Sequence, residues 1–310
     1  MEPKVFSIIV TYNAMKWIDR CLSSLKSSTV PILTVVIDNC SSDSTIDYIK
    51  KNYPEVHLII NSQNKGFGQA NNQGIEWAYK HGASHFFLLN QDAWIETNTI
   101  SNIISIQDSN GIDVAVPVHL NGTGNVVDFG YFSNSFKKIG LSKSIACLLK
   151  KQMKNYYPLD FLNAAGWVIS RKTIEEIGGF DPLFFHYGED RNYAQRLKYH
   201  NKTLAMIPSA IMYHDREQHG NEKVYNQKRV ISTLLREYAD VNKYKQGLTI
   251  SRIKLHLWLL KDAFINIGKL NIQVGFNMLK GFFVFFKQKY LIRKSIESNI
   301  QIQSNWLNLK

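Results

Sequence analysis

Apolar runs and helical patterns alternate along the first third of the chain. Short apolar runs that end in polar residues predict four buried strands, over residues 5–13, 32–39, 56–61 and 85–92. Between them, apolar residues spaced three or four apart predict helices, over residues 15–28, 41–53 and 68–82. Because such alternation is typical of βαβ units, we predict an α/β fold with a mostly parallel sheet flanked by helices.

The pattern is less regular in the middle of the chain. We expect a strand over 113–120, a loop-rich insertion over 121–160, and a strand, a short helix and a turn over 161–184. A further helix is expected over 186–201, followed by two short strand-like pieces over 203–217.

After about residue 222 the pattern changes to amphipathic helices. Apolar residues recur three to four apart in 253–267 and in 272–290, with lysines between them. The longest unbroken apolar stretch is far shorter than the roughly 20 residues that cross a bilayer. We therefore expect an α/β domain over 1–220 and a C-terminal helical extension over 221–310.

The basic charge of the chain is concentrated in this helical extension. Of the formal net charge of +12, residues 221–310 contribute all but one unit, with 16 Lys and Arg against 5 Asp and Glu. A basic segment favours an anionic partner, which could be nucleic acid, anionic lipid or an acidic protein. The three cysteines form no Cys-x-x-Cys pair and the N-terminus has no signal-peptide pattern, so we expect a cytoplasmic protein.

Each of the four predicted strands ends in polar residues. The strand ends are Thr11-Tyr12-Asn13, Asp38-Asn39, Asn61 and Asn90-Gln91-Asp92. In open α/β sheets, ligands bind outside the carboxyl ends of the strands. Core packing alone does not require this repetition, so we expect a binding site along that edge of the sheet.

Six segments, in order, resemble the motifs of family-two glycosyltransferases, in particular the bacterial branch with rhamnosyltransferases of O-antigen, capsule and cell-wall assembly. The segments are IIVTYN, VVIDNCSSDST, NKGFGQANNQGI, LLNQDA, GFDPLFFHYGEDRNYAQRL and MYH. The resemblance implies a GT-A fold, a nucleotide-diphosphate-sugar donor (a dTDP- or UDP-sugar), a divalent metal, and inversion at the anomeric carbon. It also implies a catalytic domain over 1–220, with a nucleotide-binding half of about 1–95 and an acceptor half of about 96–220.

The resemblance places the nucleotide at the first two strand ends. Thr11, Tyr12 and Asn13 are expected to contact the nucleotide, although a strand-to-helix turn capped by the asparagine explains the segment equally well. Asp38 and Asn39 are expected at the base, because a carboxylate accepts a hydrogen bond from the imide N–H of uracil or thymine. Capping of the following helix is the alternative role of Asp38.

A turn with two glycines is expected to hold the ribose and the diphosphate. Glycines let a backbone approach a ligand closely, and a helix N-terminus favours phosphate; an ordinary flexible turn is the alternative. The residues assigned to this nucleotide side by the resemblance are Asn64, Lys65, Gly66, Gly68 and Asn71, together with Gln91 at the fourth strand end.

Asp92 matches the last acid of the acidic signature of the family, and Asn90 replaces the first acid. Mg²⁺ and Mn²⁺ prefer oxygen ligands and keep several waters, so one carboxylate with donor phosphates can suffice. In some relatives a histidine joins the metal ligands, which assigns His214 to the metal, although a lone histidine is more often structural. We expect Mg²⁺ or Mn²⁺ at Asp92 and His214.

Glu189 and Asp190 begin a predicted helix. First-turn acids can simply interact with the helix dipole. The resemblance instead assigns the general base here, since an attacking sugar hydroxyl must lose a proton, and its motif favours Asp190, with Glu189 as an orienting group. Residues expected to contact the acceptor are His186, Tyr187, Gly166 and Trp167. The tryptophan could equally belong to the core.

The basic C-terminal helices have two explanations. They could be solvated faces packed on the catalytic domain or on a second subunit, giving a homodimer. Alternatively, they form an in-plane amphipathic surface that holds the protein at anionic lipid, on the inner face of the cytoplasmic membrane. The resemblance favours the second explanation, because the acceptor of such enzymes is usually a polyprenyl-linked saccharide.

Two other function classes are weighed against sugar transfer. A sugar-nucleotide nucleotidyltransferase usually carries a glycine-rich basic loop after its first strand, whereas this chain has Thr11-Tyr12-Asn13 there. A non-enzymatic nucleic-acid-binding protein would fit the sequence pI of about 9.4. However, the basic excess lies on helices rich in Phe and Leu, with no recognised nucleic-acid motif, so no nucleic-acid partner is expected.

Overall fold

The computed structural model describes residues 3–128, 154–216, 227–247 and 249–310. The strands in these ranges are β1 Val5–Thr11, β2 Ile32–Asp38, β3 His57–Ile60, β4 His85–Leu89, β5 Ala93–Ile95, β6 Val114–Asn121, β7 Tyr157–Leu159, β8 Gly166–Ser170 and β9 Leu204–His214. The helices are α1 Ile18–Lys26, α2 Thr45–Asn52, α3 Phe67–Lys80, α4 Thr99–Asn110, α5 Arg171–Ile177, α6 Glu189–Tyr199, α7 Gln227–Tyr238, α8 Ile250–Gly268, α9 Ile272–Lys287 and α10 Lys289–Asn299.

The first four strands form the parallel half of a single sheet. Their spatial order is β3-β2-β1-β4, and each neighbouring pair is parallel. The register sets Thr11 beside Asp38 and Asp38 beside Ile60. The carboxyl ends of these strands therefore meet at one edge of the sheet, where the polar strand ends were expected.

The second half of the sheet is mixed. β8 is antiparallel to both β4 and β6, β9 is parallel to β6, and β5 and β7 pair antiparallel with β9. The α/β class with flanking helices is confirmed, and uniformly parallel pairing is confined to the first four strands. The pattern did not predict β5 and β7, because three residues are too few to show a period of two.

The segment expected as two strand-like pieces forms one strand, β9. Its pairing with β6 passes from Ile207 to Ile211 on β9 while β6 passes only from Pro117 to Val118. The extra residues of β9 form a bulge, which explains the interrupted apolar pattern. Most of the expected loop-rich insertion, residues 129–153, lies outside the described residues.

The C-terminal helices pack on one another and then return to the α/β domain. Leu234, Leu259 and Phe282 belong to an apolar cluster shared by these helices. At the end of the chain, Leu307 and Leu309 pack instead against the core of the sheet. In the part of the chain that the structure describes, no helix has both the length and the apolar character needed to cross a bilayer.

Candidate active site

Asp38 joins the carboxyl ends of β1 and β2. Its carboxylate accepts hydrogen bonds from the Thr11 hydroxyl at 3.0 Å and from the backbone N–H and hydroxyl of Ser41 at 2.9 and 2.5 Å. The Asp38 side chain is fully buried. Asp38 therefore stabilises the turn after β2, and its recognition of a base stays a prediction.

Gln91 ties the end of β1 to the residues after β4. Its side-chain oxygen accepts a hydrogen bond from the Tyr12 N–H at 2.7 Å, and its side-chain amide donates to the Tyr12 carbonyl at 3.2 Å. Asn13 has a φ of 51° and accepts from the Ser42 N–H at 2.8 Å. These contacts fix the backbone and leave the Tyr12 ring about half exposed.

Three asparagines, of which Asn39 and Asn61 are buried, hold the loop that leads to α3. The side chain of Asn39 donates to Asn64 at 2.9 Å and accepts from the Lys65 N–H at 2.9 Å and from Asn61 at 3.3 Å. Asn64 also accepts from the Gly66 N–H at 2.8 Å. This network places the predicted glycine turn at the carboxyl edge of the sheet.

The two glycines of this turn permit close packing against the loop before α6. Gly66 has a φ of 79°, and a Cβ atom there would lie 2.0 Å from the Phe185 carbonyl oxygen. A Cβ atom on Gly68 would lie 2.9 Å from Phe180 Cβ. The protein itself therefore requires these glycines, whether or not a ligand does. Asn71 is buried on α3 and donates to a backbone carbonyl one turn earlier, at 3.0 Å.

A cavity of about 580 Å³ lies beside these strand ends. Its lining includes residues that the motifs singled out: Asn90, Asp92, His186, Tyr187, Glu189, Asp190 and His214. The other lining residues are Trp17, Phe67, Asn163, Ala164, Ala165 and Arg216. The residues assigned to the nucleotide, all within the described ranges, lie outside this lining. The cavity therefore brings together the residues that the resemblance assigned to the metal and the base, with two of those assigned to the acceptor.

Asp92 and His214 meet where β5 and β9 pair. Nε2 of His214 lies 3.2 Å from Asp92 Oδ1 and 3.4 Å from Asn90 Nδ2. The register explains this contact, because His214 pairs with Ala93 and the Asp215 N–H donates to the Asp92 carbonyl at 2.9 Å. We call Asn90, Asp92 and His214 the strand-end cluster.

The other ring nitrogen of His214 faces a charged pair. Arg216 Nε donates to His214 Nδ1 at 3.1 Å and lies 3.3 Å from Asp128 Oδ2, which is 4.0 Å from the same nitrogen. With Nδ1 as acceptor, a neutral ring carries its proton on Nε2 and donates to Asp92. To bind a metal through Nε2, the ring would have to carry its proton on Nδ1, and the hydrogen bond from Arg216 would have to be given up.

The side chains of the strand-end cluster are of the types that bind a divalent cation. It offers the Asp92 carboxylate, the His214 imidazole and Asn90 Oδ1, which is buried and has no hydrogen-bond partner in the described chain. Mg²⁺ and Mn²⁺ accept such ligands and keep waters or phosphate oxygens in their other positions. Among the described residues, no three His, Cys, Asp or Glu side chains are grouped to hold a metal. A cation here would therefore need ligands from solvent or a bound phosphate.

Glu189 and Asp190 form the first turn of α6, and we call them the helix-start pair. Burial raises the pKa of Glu189 to about 7, and the neighbouring Asp190 charge adds to the increase. Burial also raises the pKa of Asp190, against the opposing effects of Arg191 and Arg236. A carboxylate whose pKa lies closer to neutrality is better matched to accepting a proton from a hydroxyl group.

Three buried side-chain oxygens of the cavity residues have no hydrogen-bond partner within the described chain. They are Asn90 Oδ1, Asn163 Oδ1 and Glu189 Oε2. A buried polar atom without a partner costs about 1–3 kcal/mol, so native proteins rarely keep one without a reason. A ligand that carries several hydroxyl groups would supply the missing donors.

Of the four residues expected to contact the acceptor, two line the cavity and two are buried in the sheet. His186 and Tyr187 line the cavity with their ring centroids 4.0 Å apart, and the Tyr187 side chain is 70% exposed. Gly166 and Trp167 are buried in β8, and Trp167 packs on Phe180 with ring centroids 6.3 Å apart. Trp167 also contacts the Tyr193 ring of α6, so it occupies the core, which is the alternative that the sequence left open.

Some lining residues were missed by the sequence analysis. Trp17 lies within residues 15–28, which were predicted as a helix, whereas it precedes α1 and its ring N–H donates to Asp215 at 2.9 Å. Arg216 comes two residues after His214, and the period of two along an extended segment was a signal that could have placed both on one face. Asn163 carried no signal, since it lies in an irregular loop.

The fold is similar to that of known GT-A glycosyltransferases. The chain superposes on the crystal structure of GalNAc-T7 with UDP, GalNAc and Mn²⁺ with a TM-score of 0.56 and 16% sequence identity. The superposition covers 86% of this chain and 58% of that chain. At this identity the likeness establishes the fold, which is the GT-A fold that the motifs implied.

Residues 7–178, more than half of the chain, match the family described as Glycosyl transferase family 2. The chain therefore belongs to glycosyl transferase family 2. It is 24% identical over 215 residues to the dTDP-rhamnosyl transferase RfbF of Shigella flexneri, covering 69% of this chain and 70% of the relative. It is 22% identical over 234 residues to the N-acetylglucosaminyl-diphospho-decaprenol L-rhamnosyltransferase of Mycobacterium tuberculosis, covering 67% of this chain and 74% of the relative.

Proposed function

We propose that this protein is an inverting glycosyltransferase that moves a sugar, rhamnose being the leading candidate, from a dTDP- or UDP-sugar to a saccharide or lipid-linked saccharide in surface-polysaccharide synthesis. One observation carries the proposal: a single cavity brings the strand-end cluster and the helix-start pair together beside the carboxyl ends of parallel strands. The two rhamnosyltransferase relatives support the choice of sugar, and the second also supports a lipid-linked acceptor.

Asp190 is the general base in this proposal. It accepts the proton of an acceptor hydroxyl while the hydroxyl oxygen attacks the anomeric carbon and the bond from that carbon to the diphosphate breaks. Attack from the face opposite the leaving group inverts the anomeric carbon without a covalent enzyme intermediate. Glu189 orients the acceptor or the base, and His186 and Tyr187 contact the acceptor, since aromatic faces suit the C–H surfaces of sugars.

The nucleotide diphosphate binds along the ends of β1 and β2 and at the start of α3. The exposed Tyr12 ring is available to a base, and Gly66, which precedes the first residue of α3, brings backbone N–H groups and the positive helix end close to a diphosphate. Asn90, Asp92 and His214 would hold Mg²⁺ or Mn²⁺. Such an ion, when bound, would neutralise charge on the departing diphosphate.

A thermal-shift panel of dTDP- and UDP-sugars, each with and without Mn²⁺, tests the proposed donor. Ligand binding to the folded state raises the midpoint of unfolding with occupancy, so one donor with Mn²⁺ should give a clear increase that the free sugar does not. Transfer from that donor should release a nucleoside diphosphate. Release of pyrophosphate from a nucleoside triphosphate would instead indicate a nucleotidyltransferase and would contradict the proposal.

The exposed face of α8 and α9 supports a peripheral position on an anionic membrane. Large apolar side chains on these helices are between 48% and 71% exposed: Leu257, Trp258, Phe264, Phe276, Phe283 and Phe286. Exposed lysines accompany them on the same helices: Lys254, Lys261, Lys280 and Lys287. Apolar side chains beside lysines are the composition of an in-plane amphipathic surface, where lysines meet lipid phosphates.

Vesicle flotation tests this position on the membrane. The protein should float with phosphatidylglycerol vesicles and not with neutral ones, and the double variant Phe276→Ser, Phe283→Ser should lose most of this binding. Leu33→Ser is the matched control, because Leu33 is a similarly exposed apolar residue on β2. If the double variant instead converts a dimer to a monomer while vesicle binding is absent throughout, the face joins two subunits and the membrane proposal is wrong.

A further inference from the structure

The loop over residues 178–188 touches both parts of the site. Next to its end, Glu189 and Asp190 begin α6. Its middle packs on the glycine turn before α3, where Gly66 faces the Phe185 carbonyl. The position of this loop therefore sets the spacing between the proposed diphosphate site and the proposed base.

Both ends of the loop are glycines with positive φ that pack against the C-terminal region. At Gly178 (φ 83°) a Cβ atom would lie 2.0 Å from the Asn305 carbonyl oxygen. At Gly188 (φ 114°) it would lie 3.0 Å from Arg236 Cγ on α7. Near the second end, the Ser232 hydroxyl of α7 donates to the Tyr187 carbonyl at 2.5 Å.

Asp181 fastens the loop to α10. Its carboxylate is almost completely buried and accepts hydrogen bonds from the Ser295 hydroxyl at 2.5 Å, the Asn299 side-chain amide at 2.7 Å and the Leu183 N–H at 2.9 Å. The Asp181 carbonyl also accepts from the Phe184 N–H at 3.1 Å. One side chain thus shapes the loop and joins it to a helix more than a hundred residues later.

The tail after α10 reinforces this junction. Gly179 N–H donates to the Asn305 carbonyl at 2.8 Å, and the Trp306 ring N–H donates to Asn299 at 2.8 Å. Asn72 of α3 accepts from the Phe180 N–H at 2.7 Å, so the loop is held from the sheet side as well.

We propose that Asp181 is a positioning residue for sugar transfer: with Ser295 and Asn299 it anchors the 178–188 loop to α10, and this anchor holds Asp190 at its working distance from the donor. Asp181 does not line the cavity and acts through the loop. The kinetic part of the proposal rests on the proposed glycosyl transfer, whereas the anchoring part does not.

Two variants weaken the anchor with little change of shape. Asp181→Asn replaces one acceptor oxygen by an NH2 group, so the side chain can no longer accept from Ser295 and Asn299 and from the Leu183 N–H at the same time. Ser295→Ala removes one donor. Glu297→Gln is the matched control, because it changes an exposed carboxylate of the same helix, which pairs with Arg293 at 2.7 Å. We expect kcat to fall about 10- to 100-fold in Asp181→Asn and less in Ser295→Ala, since small displacements of reacting groups have costs of this order.

The pH profile separates positioning from simple loss of stability. A loosened loop admits water to Asp190, and since burial raises its pKa, the acid limb of kcat/KM should move to lower pH in Asp181→Asn. A variant that is less stable but unchanged at the site would show the acid limb of kcat/KM at the same pH as the wild type. A folded Asp181→Asn protein with wild-type kcat and wild-type acid limb would overturn the proposal.

Amide hydrogen exchange tests the anchor without any substrate. Exchange of the 178–188 loop and of the first turn of α6 should be faster in both anchor variants and unchanged in Glu297→Gln. Unchanged exchange in Asp181→Asn would overturn the proposal even if activity fell. If the wild-type protein transfers no sugar, the proposed function fails, and exchange alone still decides whether Asp181 holds the loop.

Discussion

The strand-end cluster and the helix-start pair line one cavity but are built in opposite ways. Asp92 and His214 come from paired strands and contact each other at 3.2 Å. Glu189 and Asp190 are neighbours on one helix turn, carry like charges, and have pKa values raised by burial. The Asp92 carboxylate therefore has a hydrogen-bond partner within the protein. The helix-start pair instead holds two acidic groups side by side, and burial makes ionisation of both unfavourable.

This difference suggests a division of labour. A carboxylate that already has an imidazole partner is suited to holding charge, as a metal ligand does. A buried carboxylate with a raised pKa is suited to taking a proton. Variants of the helix-start pair should therefore slow the proton transfer, whereas variants of the strand-end cluster should change the metal concentration that activity requires.

The largest effect is expected for Asp190→Asn. Asparagine keeps the shape but cannot accept the proton of the acceptor hydroxyl, so kcat should fall by about 10²- to 10⁴-fold, the usual contribution of a general base. Initial rates with saturating donor and acceptor measure this, and donor binding by thermal shift should stay near the wild-type value. A folded variant with near-normal turnover would remove Asp190 from the role.

A smaller effect, of a different kind, is expected for Asp92→Asn. Loss of the carboxylate charge should raise the Mn²⁺ concentration needed for half-maximal activity, on the order of 10- to 100-fold, the scale reported for changes around metal ligands. High Mn²⁺ should restore much of the rate, which it cannot do for Asp190→Asn. Glu96→Gln is the control, a carboxylate near the same strand pair but outside the cavity lining.

If Asp92→Asn needs the same Mn²⁺ concentration as the wild type for half-maximal activity, the strand-end cluster is not the metal site and the proposed difference between the two groups is wrong. The Asp92 contact with His214 would then be an ordinary hydrogen bond that serves only to join β5 to β9.

The sequence predicted the elements that depend on local pattern. The first four strands were expected within a few residues of their observed ends, because apolar runs and polar strand ends are visible without knowledge of the fold. The resemblance to family-two glycosyltransferases, rather than the local pattern, assigned Asp92 and Asp190 to one site, and both line the same cavity.

Features that depend on long-range pairing could not be predicted. Trp17 enters the cavity because the start of α1 lies near the end of β9 in space, where its ring N–H contacts Asp215. These two segments are about 200 residues apart in the chain, so the local pattern does not reveal the contact. Trp167 is buried because Phe180 and Tyr193 cover it, and these contacts cannot be read from the pattern of β8. The contacts of Asp181 with α10 join segments far apart in the chain, so only the fold reveals them.

The smallest effect is expected on the free energy of unfolding. It measures how much the ionised Glu189 carboxylate of the helix-start pair destabilises the folded state. Because the folded-state pKa of Glu189 is raised to about 7, folding favours its protonated form. The associated stability is fully present below the ordinary pKa of glutamate and is lost as pH rises through 7. Glu189→Gln stays neutral, so it should match the wild type near pH 4 and be more stable at pH 8, by at most about 3 kcal/mol. Thermal unfolding at the two pH values measures the difference, with Glu297→Gln as an exposed control. A stability gain of the same size at both pH values would mean that ionisation of Glu189 does not destabilise the folded protein.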